Sequence, residues 1–272
     1  MLGFTLFEFL KSKKKLKIFG TVRGKKIKKK NIFSNVDVGN FKYLKKKISS
    51  ISPEIIINCV GIVKSEVSSI SSKKVIKINS KLPIFLNIIS HELKFKLIHI
   101  STDCVFSGRS KKNTEKSKAD PNDLYGKSKL LGEFKSKKNL VIRTSIIGHE
   151  IKHKRGLLEW FLKQEKAING FSNAYFSGLT TLELSKIFYK YILFNHGISG
   201  LFHISGKRIN KYNLLKKIKK IYNKKILIKK EIKFKIDRTL DCSYFKKKTG
   251  YKKKNWDKML IENKNYFLKH AN

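Results

Sequence analysis

Residues 96–103 read Lys-Leu-Ile-His-Ile-Ser-Thr-Asp, and residues 124–129 read Leu-Tyr-Gly-Lys-Ser-Lys. The apolar run in the first segment predicts a buried strand that carries Thr102 to its carboxyl end, the edge at which open α/β sheets bind ligands. In the second segment Tyr125 and Lys129 are four residues apart and therefore share one face of a helix. A hydroxyl, a phenol and an ammonium at one sheet edge can move a proton to or from a carbonyl group.

These three residue types suit the reduction of a ketone. A free tyrosine has a pKa of about 10, which is high for proton transfer near neutrality, and a nearby ammonium is expected to lower it. Tyr125 would then give its proton to the carbonyl oxygen while Thr102 holds that oxygen by a hydrogen bond. The alternative is a surface helix with an incidental Tyr and Lys, since the chain is rich in lysine.

The flanking segments predict alternating strands and helices. Glu54–Cys59 and Leu140–Arg143 are strand candidates, because runs of β-branched residues suit a sheet that is covered on both faces. Leu2–Leu10 and Lys74–Glu92 are helix candidates, the second with a bend or break at Pro83. This alternation is typical of βαβ units and predicts an α/β fold with a doubly wound parallel sheet of the Rossmann type.

Composition argues against other classes of protein. The 272 residues carry 63 Lys+Arg and 19 Asp+Glu, a net charge of +44, which raises the alternative of nucleic-acid binding. The lysines are scattered along the chain among Ile and Asn, residues that share AT-rich codons, so we expect no specific nucleic-acid partner. No stretch of about 18 apolar residues predicts a membrane span, so no membrane partner is expected.

The cysteines indicate the compartment. Cys59, Cys104 and Cys242 are odd in number and form no CxxC pair, so they predict reduced thiols in a cytoplasmic protein. The N-terminus is apolar but has neither a basic leader nor a small-residue cleavage site, so no secretory signal is expected. No residues have metal-ligand spacing, and no metal site is predicted.

Three motifs in order resemble a known family. Residues 101–108 (STDCVFSG), 124–133 (LYGKSKLLGE) and 141–145 (VIRTS) are similar to those of the extended short-chain dehydrogenase/reductases. Within these they most resemble the dTDP-4-dehydrorhamnose reductase group and its nucleotide-sugar relatives, and the similarity runs over nearly the whole chain. The resemblance implies an NADP-binding lobe over 1–148, to which 172–194 returns, and a smaller α/β nucleotide-sugar-binding lobe.

The resemblance also implies site residues. The smaller lobe comprises 149–171 and 195–272. The catalytic residues are Thr102, Tyr125 and Lys129. The cofactor-binding residues are Gly3, Arg23, Asp37, Val38, Asn58, Cys59, Val60, Gly61, Asn79, Ser101, Tyr125 and Lys129. The substrate-binding residues are Asp103, Cys104, Phe106, Ser177 and Arg238, among which Arg238 is the candidate cation for a diphosphate.

The choice of cofactor can be argued locally. An NAD-specific turn has an acidic residue after the second strand, but residues 19–24 (FGTVRG) contain none. Arg23 is instead placed to meet a 2′-phosphate, while Asp37 and Val38 would flank the adenine. We therefore predict NADPH rather than NADH, the alternative being that Arg23 is one more exposed cation.

The start of the chain departs from the family pattern. Gly3 matches the last glycine of the phosphate-binding turn, but the preceding strand and glycines are absent, which would leave two inner edges of the sheet open. We expect a translation start upstream of Met1, the alternative being a degraded gene. Cys104 is a second departure, since relatives often carry Tyr there, and a small buried hydrophobe is favoured over a reactive thiol.

The resemblance implies NADPH-dependent reduction of a nucleotide-linked 4-keto-6-deoxy sugar, as in dTDP-L-rhamnose formation for surface polysaccharide, and this is the function that we predict. Two alternatives stay open: a reductase of a UDP-linked keto-deoxyamino sugar, and a non-catalytic sugar-nucleotide-binding subunit. For partners we expect the nucleotide-sugar substrate and allow for a homodimer.

Overall fold

The computed structural model describes residues 1–24, 30–151 and 155–270. Its strands are β1 (Gly20–Thr21), β2 (Ile32–Phe33), β3 (Ile55–Asn58), β4 (Lys96–Ile100), β5 (Leu140–Arg143), β6 (Ile146–Ile147), β7 (Ile168–Phe176), β8 (Leu179–Thr180), β9 (Gly200–His203), β10 (Ile209–Asn210) and β11 (Ile228–Asp237). Its α-helices are α1 (Leu2–Lys11), α2 (Phe41–Ile51), α3 (Ser72–Ile76), α4 (Leu82–Glu92), α5 (Leu124–Leu131), α6 (Leu157–Leu162), α7 (Thr181–Ile187), α8 (Lys211–Ile221), α9 (Ser243–Thr249) and α10 (Trp256–His270).

A parallel sheet with the strand order β3-β4-β5-β9 forms the centre of the molecule. Successive side chains of a strand point to opposite faces. Leu97 of β4 packs in one cluster with residues of α2 and α4, and the adjacent Ile98 packs in another with residues of α1 and α7. Helices therefore cover both faces of the sheet, which confirms the predicted α/β, doubly wound class.

The parallel sheet is divided. β1 and β2 pair with each other in parallel, but the described strands place no hydrogen-bonded partner between them and β3. The sequence predicts longer strands here, over Leu16–Val22 and Asn31–Val36. The two observed strands are shorter than predicted, with two residues in each.

A second, smaller sheet has the order β10-β7-β11. β7 runs antiparallel to β10 and parallel to β11, with a register shift between Glu231 and Lys235. The expected lobe boundaries do not follow the strands throughout. β9 lies within the range assigned to the smaller lobe, yet it pairs with β5 of the parallel sheet.

The predicted bend at Pro83 takes the form of a π-helical turn. α3 and α4 are joined by a π-helical turn at Lys77–Lys81, so the helix continues past the proline. Pro83 has no N–H to donate to the carbonyl oxygen of Asn79, four residues earlier. That oxygen is approached by Gly132, whose added Cβ would lie 2.2 Å from it. The turn thus lets the segment after α5 pack directly on this helix.

Candidate active site

Thr102 lies at the carboxyl end of β4, as predicted. It caps a short 3-10 turn over Asp103–Val105, with its hydroxyl accepting from the Cys104 N–H at 3.1 Å and facing the Asp103 carboxylate at 3.2 Å. Ser101, Thr102 and Asp103 are all buried. Buried polar groups of this kind are held in place by their hydrogen bonds, so the strand end presents a fixed hydroxyl.

Helix α5 carries Tyr125 and Lys129 to the same edge of the sheet. Asp123 begins the helix by accepting from the Gly126 N–H at 2.7 Å. A Cβ added to Gly126 would lie 2.3 Å from the carbonyl oxygen of Cys104, so only glycine permits this approach between the helix and the turn after β4. The glycine in the Leu-Tyr-Gly motif therefore allows α5 to pack directly against the turn after β4.

Gly126→Ala is expected to push α5 away from the turn after β4. Overpacking of this kind costs about 1–3 kcal/mol, and the displaced phenol should lower activity as well. Thermal unfolding and turnover of the variant would measure both effects. Lys127→Ala, an exposed position on the same helix, is the control. Equal stability and activity in the two variants would contradict the close approach.

The electrostatics of Tyr125 differ from the expectation. Burial raises the pKa of Tyr125, the charges of Cys104 and Asp103 raise it further, and the neighbouring Thr102 hydroxyl opposes the rise. The prediction that Lys129 would lower this pKa was wrong for the structure as described, because desolvation of the phenolate dominates. A phenol that keeps its proton is the form needed to donate one during reduction.

Lys129 is buried with its amine against the carboxyl end of β4. Its Nζ donates to the carbonyl oxygen of Ile100 at 2.6 Å and lies 3.4 Å from His99 Nε2. Burial lowers the pKa of Lys129 to about 8, while the charges of Glu133 and Cys59 oppose that shift. This lysine can therefore change its charge near neutral pH, unlike an exposed lysine.

Asn79 lies within the π-helical turn and holds two elements together. Its side-chain oxygen accepts from the Ile62 N–H at 2.8 Å, and its amide donates to the Ile62 carbonyl at 3.0 Å and to Ser128 Oγ at 3.0 Å. Because these contacts occupy the side chain, Asn79 positions the loop after β3 against α5. π-Helical turns are common at functional sites.

The loop after β3 forms the part of the edge assigned to the cofactor. Asn58 is buried, Cys59 is half-buried, and Val60 and Gly61 are exposed. Burial raises the pKa of the Cys59 thiol to about 12, so it is inert as a nucleophile near neutrality. A Cβ added to Gly3 would lie 3.5 Å from Cys59 Cβ, so the first turn of α1 adjoins this loop.

The residues assigned to the adenosine end lie beyond β1 and β2. Arg23 is exposed and follows β1, while Asp37 is exposed and Val38 half-buried after β2. The Asp37 carboxylate accepts from the Gly39 N–H at 2.9 Å. Because β1 and β2 are parallel, these residues share one edge of their sheet.

Arg238 reaches the turn that carries the catalytic hydroxyl. Its Nε donates to the Phe106 carbonyl at 2.9 Å, and its guanidinium lies 3.5 Å from Cys104 Sγ. Burial raises the pKa of Asp103, and the charges of Lys211 and Arg238 oppose the rise. These residues bring two cations and one carboxyl group beside the catalytic turn.

Phe106 and Ser177, also assigned to the substrate, are engaged in the interior. The Phe106 ring is buried with His203 5.8 Å away, centroid to centroid. Ser177 Oγ accepts from the Leu240 N–H at 2.9 Å. Both side chains are therefore occupied by contacts within the protein.

Two residues at the site were missed by the sequence analysis. Lys211 lies at the start of α8 with its Nζ 4.0 Å from the Phe176 ring centroid, and it interacts with the Asp103 charge. His99 is fully buried beneath Lys129. Lys211 has no motif in a lysine-rich chain. His99 could have been found by its place in β4, where a polar side chain interrupts an apolar run.

The edge fits a nicotinamide dinucleotide. The described residues hold no group of three or more His, Cys, Asp or Glu side chains that could bind a metal ion. In the same part of the chain, no helix is long and apolar enough to cross a membrane. A Cβ added to Gly61 would lie 3.9 Å from Lys129 Nζ, and the first turn of α1 adjoins Cys59 in the same loop. Backbone N–H groups at a helix start, a small glycine and an ammonium therefore lie along one edge, which suits a dinucleotide with its diphosphate at the helix.

A parallel sheet covered by helices on both faces, with Thr102, Tyr125 and Lys129 at its carboxyl edge, is the arrangement of an extended short-chain dehydrogenase/reductase. The chain belongs to the RmlD substrate binding domain family, whose sequence profile matches residues 1–262. A curated relative, the spore coat polysaccharide biosynthesis protein SpsK of Bacillus subtilis (strain 168), is 28% identical over 163 residues. That alignment covers 58% of this chain and 56% of SpsK, so the chain spans about half the length of this relative.

Solved structures share the fold. A hypothetical dTDP-4-dehydrorhamnose reductase from Sulfolobus tokodaii is 25% identical, with 94% of each chain covered and a TM-score of 0.78. The dTDP-4-dehydrorhamnose reductase of Bacillus anthracis str. Ames in complex with NADP is 20% identical, with 88% of this chain and 90% of that chain covered and a TM-score of 0.74. WbmG of Bordetella bronchiseptica in complex with NAD and UDP is 15% identical, with 100% and 93% covered and a TM-score of 0.79.

Proposed function

We propose that this protein is an NADPH-dependent reductase of a nucleotide-linked 4-keto-6-deoxy sugar, similar in reaction to dTDP-4-dehydrorhamnose reductase. The observation that carries the proposal is the convergence of Thr102, Tyr125 and Lys129 at the carboxyl end of β4. Membership of the RmlD substrate binding domain family and the likeness to the Sulfolobus tokodaii protein support the same reaction class.

The chain's own residues supply the proton chemistry. Bound NADPH supplies a hydride for the carbonyl carbon. Tyr125 gives its phenolic proton to the carbonyl oxygen, and the Thr102 hydroxyl turns from Asp103 to donate to that oxygen. Lys129, whose pKa of about 8 still leaves it mostly an ammonium near neutrality, stabilises the phenolate that remains. Ser101 and Asn79 hold the strand end and the loop after β3 in register with α5.

The charges beside the catalytic turn suit a sugar nucleotide. Arg238 and Lys211 offer two cations for a diphosphate, and Asp103 offers an acceptor for a sugar hydroxyl. In this proposal the first lobe holds the cofactor and the smaller lobe holds the nucleotide. The proposal also includes that this protein is cytoplasmic and that two copies of it form a homodimer.

The experiment is an NADPH-oxidation assay with matched keto sugars. We expect turnover with dTDP-4-dehydrorhamnose and slower turnover with a UDP-linked keto-deoxyamino sugar. The reverse order would favour the UDP-sugar alternative. Tight binding of either sugar nucleotide without NADPH oxidation would favour the non-catalytic subunit.

Arg23→Asp is expected to reverse the cofactor preference. A hydrogen bond to a charged group contributes about 1.5–3 kcal/mol, so the KM for NADPH should rise roughly ten- to a hundredfold while that for NADH changes little. Steady-state kinetics with both cofactors would measure this. Lys46→Asp makes the same charge change on the exposed face of α2 and should leave the preference unaltered. An unchanged preference in Arg23→Asp would remove this residue from the site.

A further inference from the structure

Asn58 and His99 form a buried chain of contacts that ends at Lys129. The two residues are paired neighbours on β3 and β4, and both are buried, as is Lys129. Asn58 Nδ2 lies 3.2 Å from His99 Nδ1, and His99 Nε2 lies 3.4 Å from Lys129 Nζ. We propose that Asn58 and His99 are positioning residues that direct an imidazole N–H at the Lys129 nitrogen and so favour its neutral amine form.

The orientation of the Asn58 amide is fixed by Val60, which lies outside the Asn58–His99–Lys129 chain of contacts. The Val60 N–H donates to Asn58 Oδ1 at 3.1 Å, so the side-chain oxygen faces Val60 and the NH2 group faces His99. The amide N–H can only donate, which makes His99 Nδ1 the acceptor. Turning the amide over would set its NH2 against the Val60 N–H and lose that hydrogen bond.

The tautomer of His99 follows from this orientation. Burial and the charge of Lys129 hold the pKa of His99 well below its usual value, so the imidazole is neutral. A neutral imidazole carries one hydrogen, and with Nδ1 accepting, that hydrogen is on Nε2. Nε2–H therefore points at Lys129 Nζ.

An imidazole N–H suits an amine and not an ammonium. An ammonium has three donors and no acceptor, so it would face a second donor, whereas a neutral amine accepts from Nε2–H with its lone pair. The amine would still donate to the Ile100 carbonyl, which lies 2.6 Å away. The Asn58–His99 pair, called the relay below, thus acts in the same direction as burial, which lowers the pKa of Lys129 to about 8.

Other charged groups around Lys129 act in the opposite direction. Glu133, just beyond α5, and Cys59, in the loop after β3, both favour the ammonium, and Tyr125 is its neighbour on the same helix face. With burial and the relay opposing these groups, the lysine titrates within the working range of pH. The catalytic consequence rests on the proposed function, but the protonation state itself does not.

A second buried histidine, His203, provides a reference for the tautomer of His99. His203 is also fully buried, and its Nδ1 lies 3.0 Å from the backbone carbonyl of Asn113. A carbonyl only accepts, so His203 carries its hydrogen on Nδ1. The two buried histidines are therefore expected to be opposite tautomers in one protein.

Asn58→Asp should reverse the tautomer of His99 with almost no change in the shape of the side chain at position 58. A carboxylate accepts both from the Val60 N–H and from a hydrogen on His99 Nδ1, so the hydrogen moves from Nε2 to Nδ1. His99 Nε2 then offers a lone pair to the Lys129 ammonium, and the added negative charge acts in the same direction. The pKa of Lys129 should rise by about one unit or more.

The test is long-range proton–nitrogen NMR of the full chain labelled at its 7 histidines, with His99→Gln to assign the signal. We expect Nε2–H for His99 in the parent protein and Nδ1–H in Asn58→Asp, with His203 unchanged at Nδ1–H. Asn40→Asp, the same change at an exposed helix cap, should leave His99 as Nε2–H.

The pH dependence of kcat/KM supplies a second readout. One limb of this pH profile is assigned to the titration of Lys129, and it should move to higher pH in Asn58→Asp. If Asn58 had only a structural role, the substitution would change stability but leave that limb at the same pH. An Nδ1–H or doubly protonated His99 in the parent protein would overturn the inference, even if Asn58→Asp failed to fold. The NMR result needs no substrate, so an inactive protein with the expected tautomers would overturn the proposed function alone.

Discussion

Tyr125→Phe is expected to lower kcat/KM for ketone reduction by about 10²- to 10⁴-fold, the usual contribution of a positioned general acid. The change removes one oxygen and leaves the ring. Burial raises the pKa of Tyr125, so the parent phenol is protonated and able to donate over the neutral range. The loss should appear in kcat as well as in kcat/KM, because the proton is transferred only in the transition state.

The measurement is steady-state NADPH oxidation, paired with binding of the sugar nucleotide. Binding should be nearly unchanged, since the ring still fills its place beside the catalytic turn. Tyr43→Phe, at an exposed position of α2, is the control and should retain full turnover. Full activity in Tyr125→Phe would end its assignment as the proton donor.

Arg143→Met is expected to destabilise the protein by about 3–5 kcal/mol, the cost of leaving one member of a buried ion pair alone. The Arg143 guanidinium donates to both oxygens of Glu133, at 2.9 and 2.7 Å, and the two side chains are only 6% and 10% exposed. Ser101 Oγ also donates to Glu133, at 2.6 Å. Loss of the arginine would therefore loosen the strand end beside Thr102.

Urea unfolding would measure this loss through the transition midpoint. Glu133→Gln combined with Arg143→Met should recover part of it, because a neutral amide can accept from Ser101 without a buried charge. Glu92→Gln, which breaks the exposed pair with Lys45, should cost no more than about 1 kcal/mol. A similarly small change in Arg143→Met would mean that the buried pair contributes little.

The strands of the parallel sheet could be predicted because their sequence pattern is strong. Lys96–Ile100 and Leu140–Arg143 are strands with the predicted bounds, since a strand buried on both faces is a short, mostly apolar run. β7 and β11 were missed. β11 contains Ile-Lys-Phe-Lys-Ile at 232–236, an alternation that favours a strand and was overlooked in a lysine-rich segment. Its apolar side chains Ile232 and Phe234 are nevertheless exposed.

The candidate active site was likewise predicted only in part. The spacing of Tyr125 and Lys129 and the order of the motifs predicted which groups share an edge, because helical periodicity and strand direction are local properties. The predicted direction of the Tyr125 pKa shift was wrong, because desolvation depends on what the rest of the chain packs around the phenol. His99 and Lys211 were missed for the same reason, since their partners come from distant segments.

The sequence by itself determined the α/β class, the order of the main strands and the chemical groups at one sheet edge, because these depend on neighbours within a few residues. Only the tertiary structure decided which charges are buried, which hydrogen bonds fix them and how near α5 comes to the turn after β4. Those properties depend on packing between segments tens of residues apart, and such packing sets the local dielectric and the available partners for each polar group.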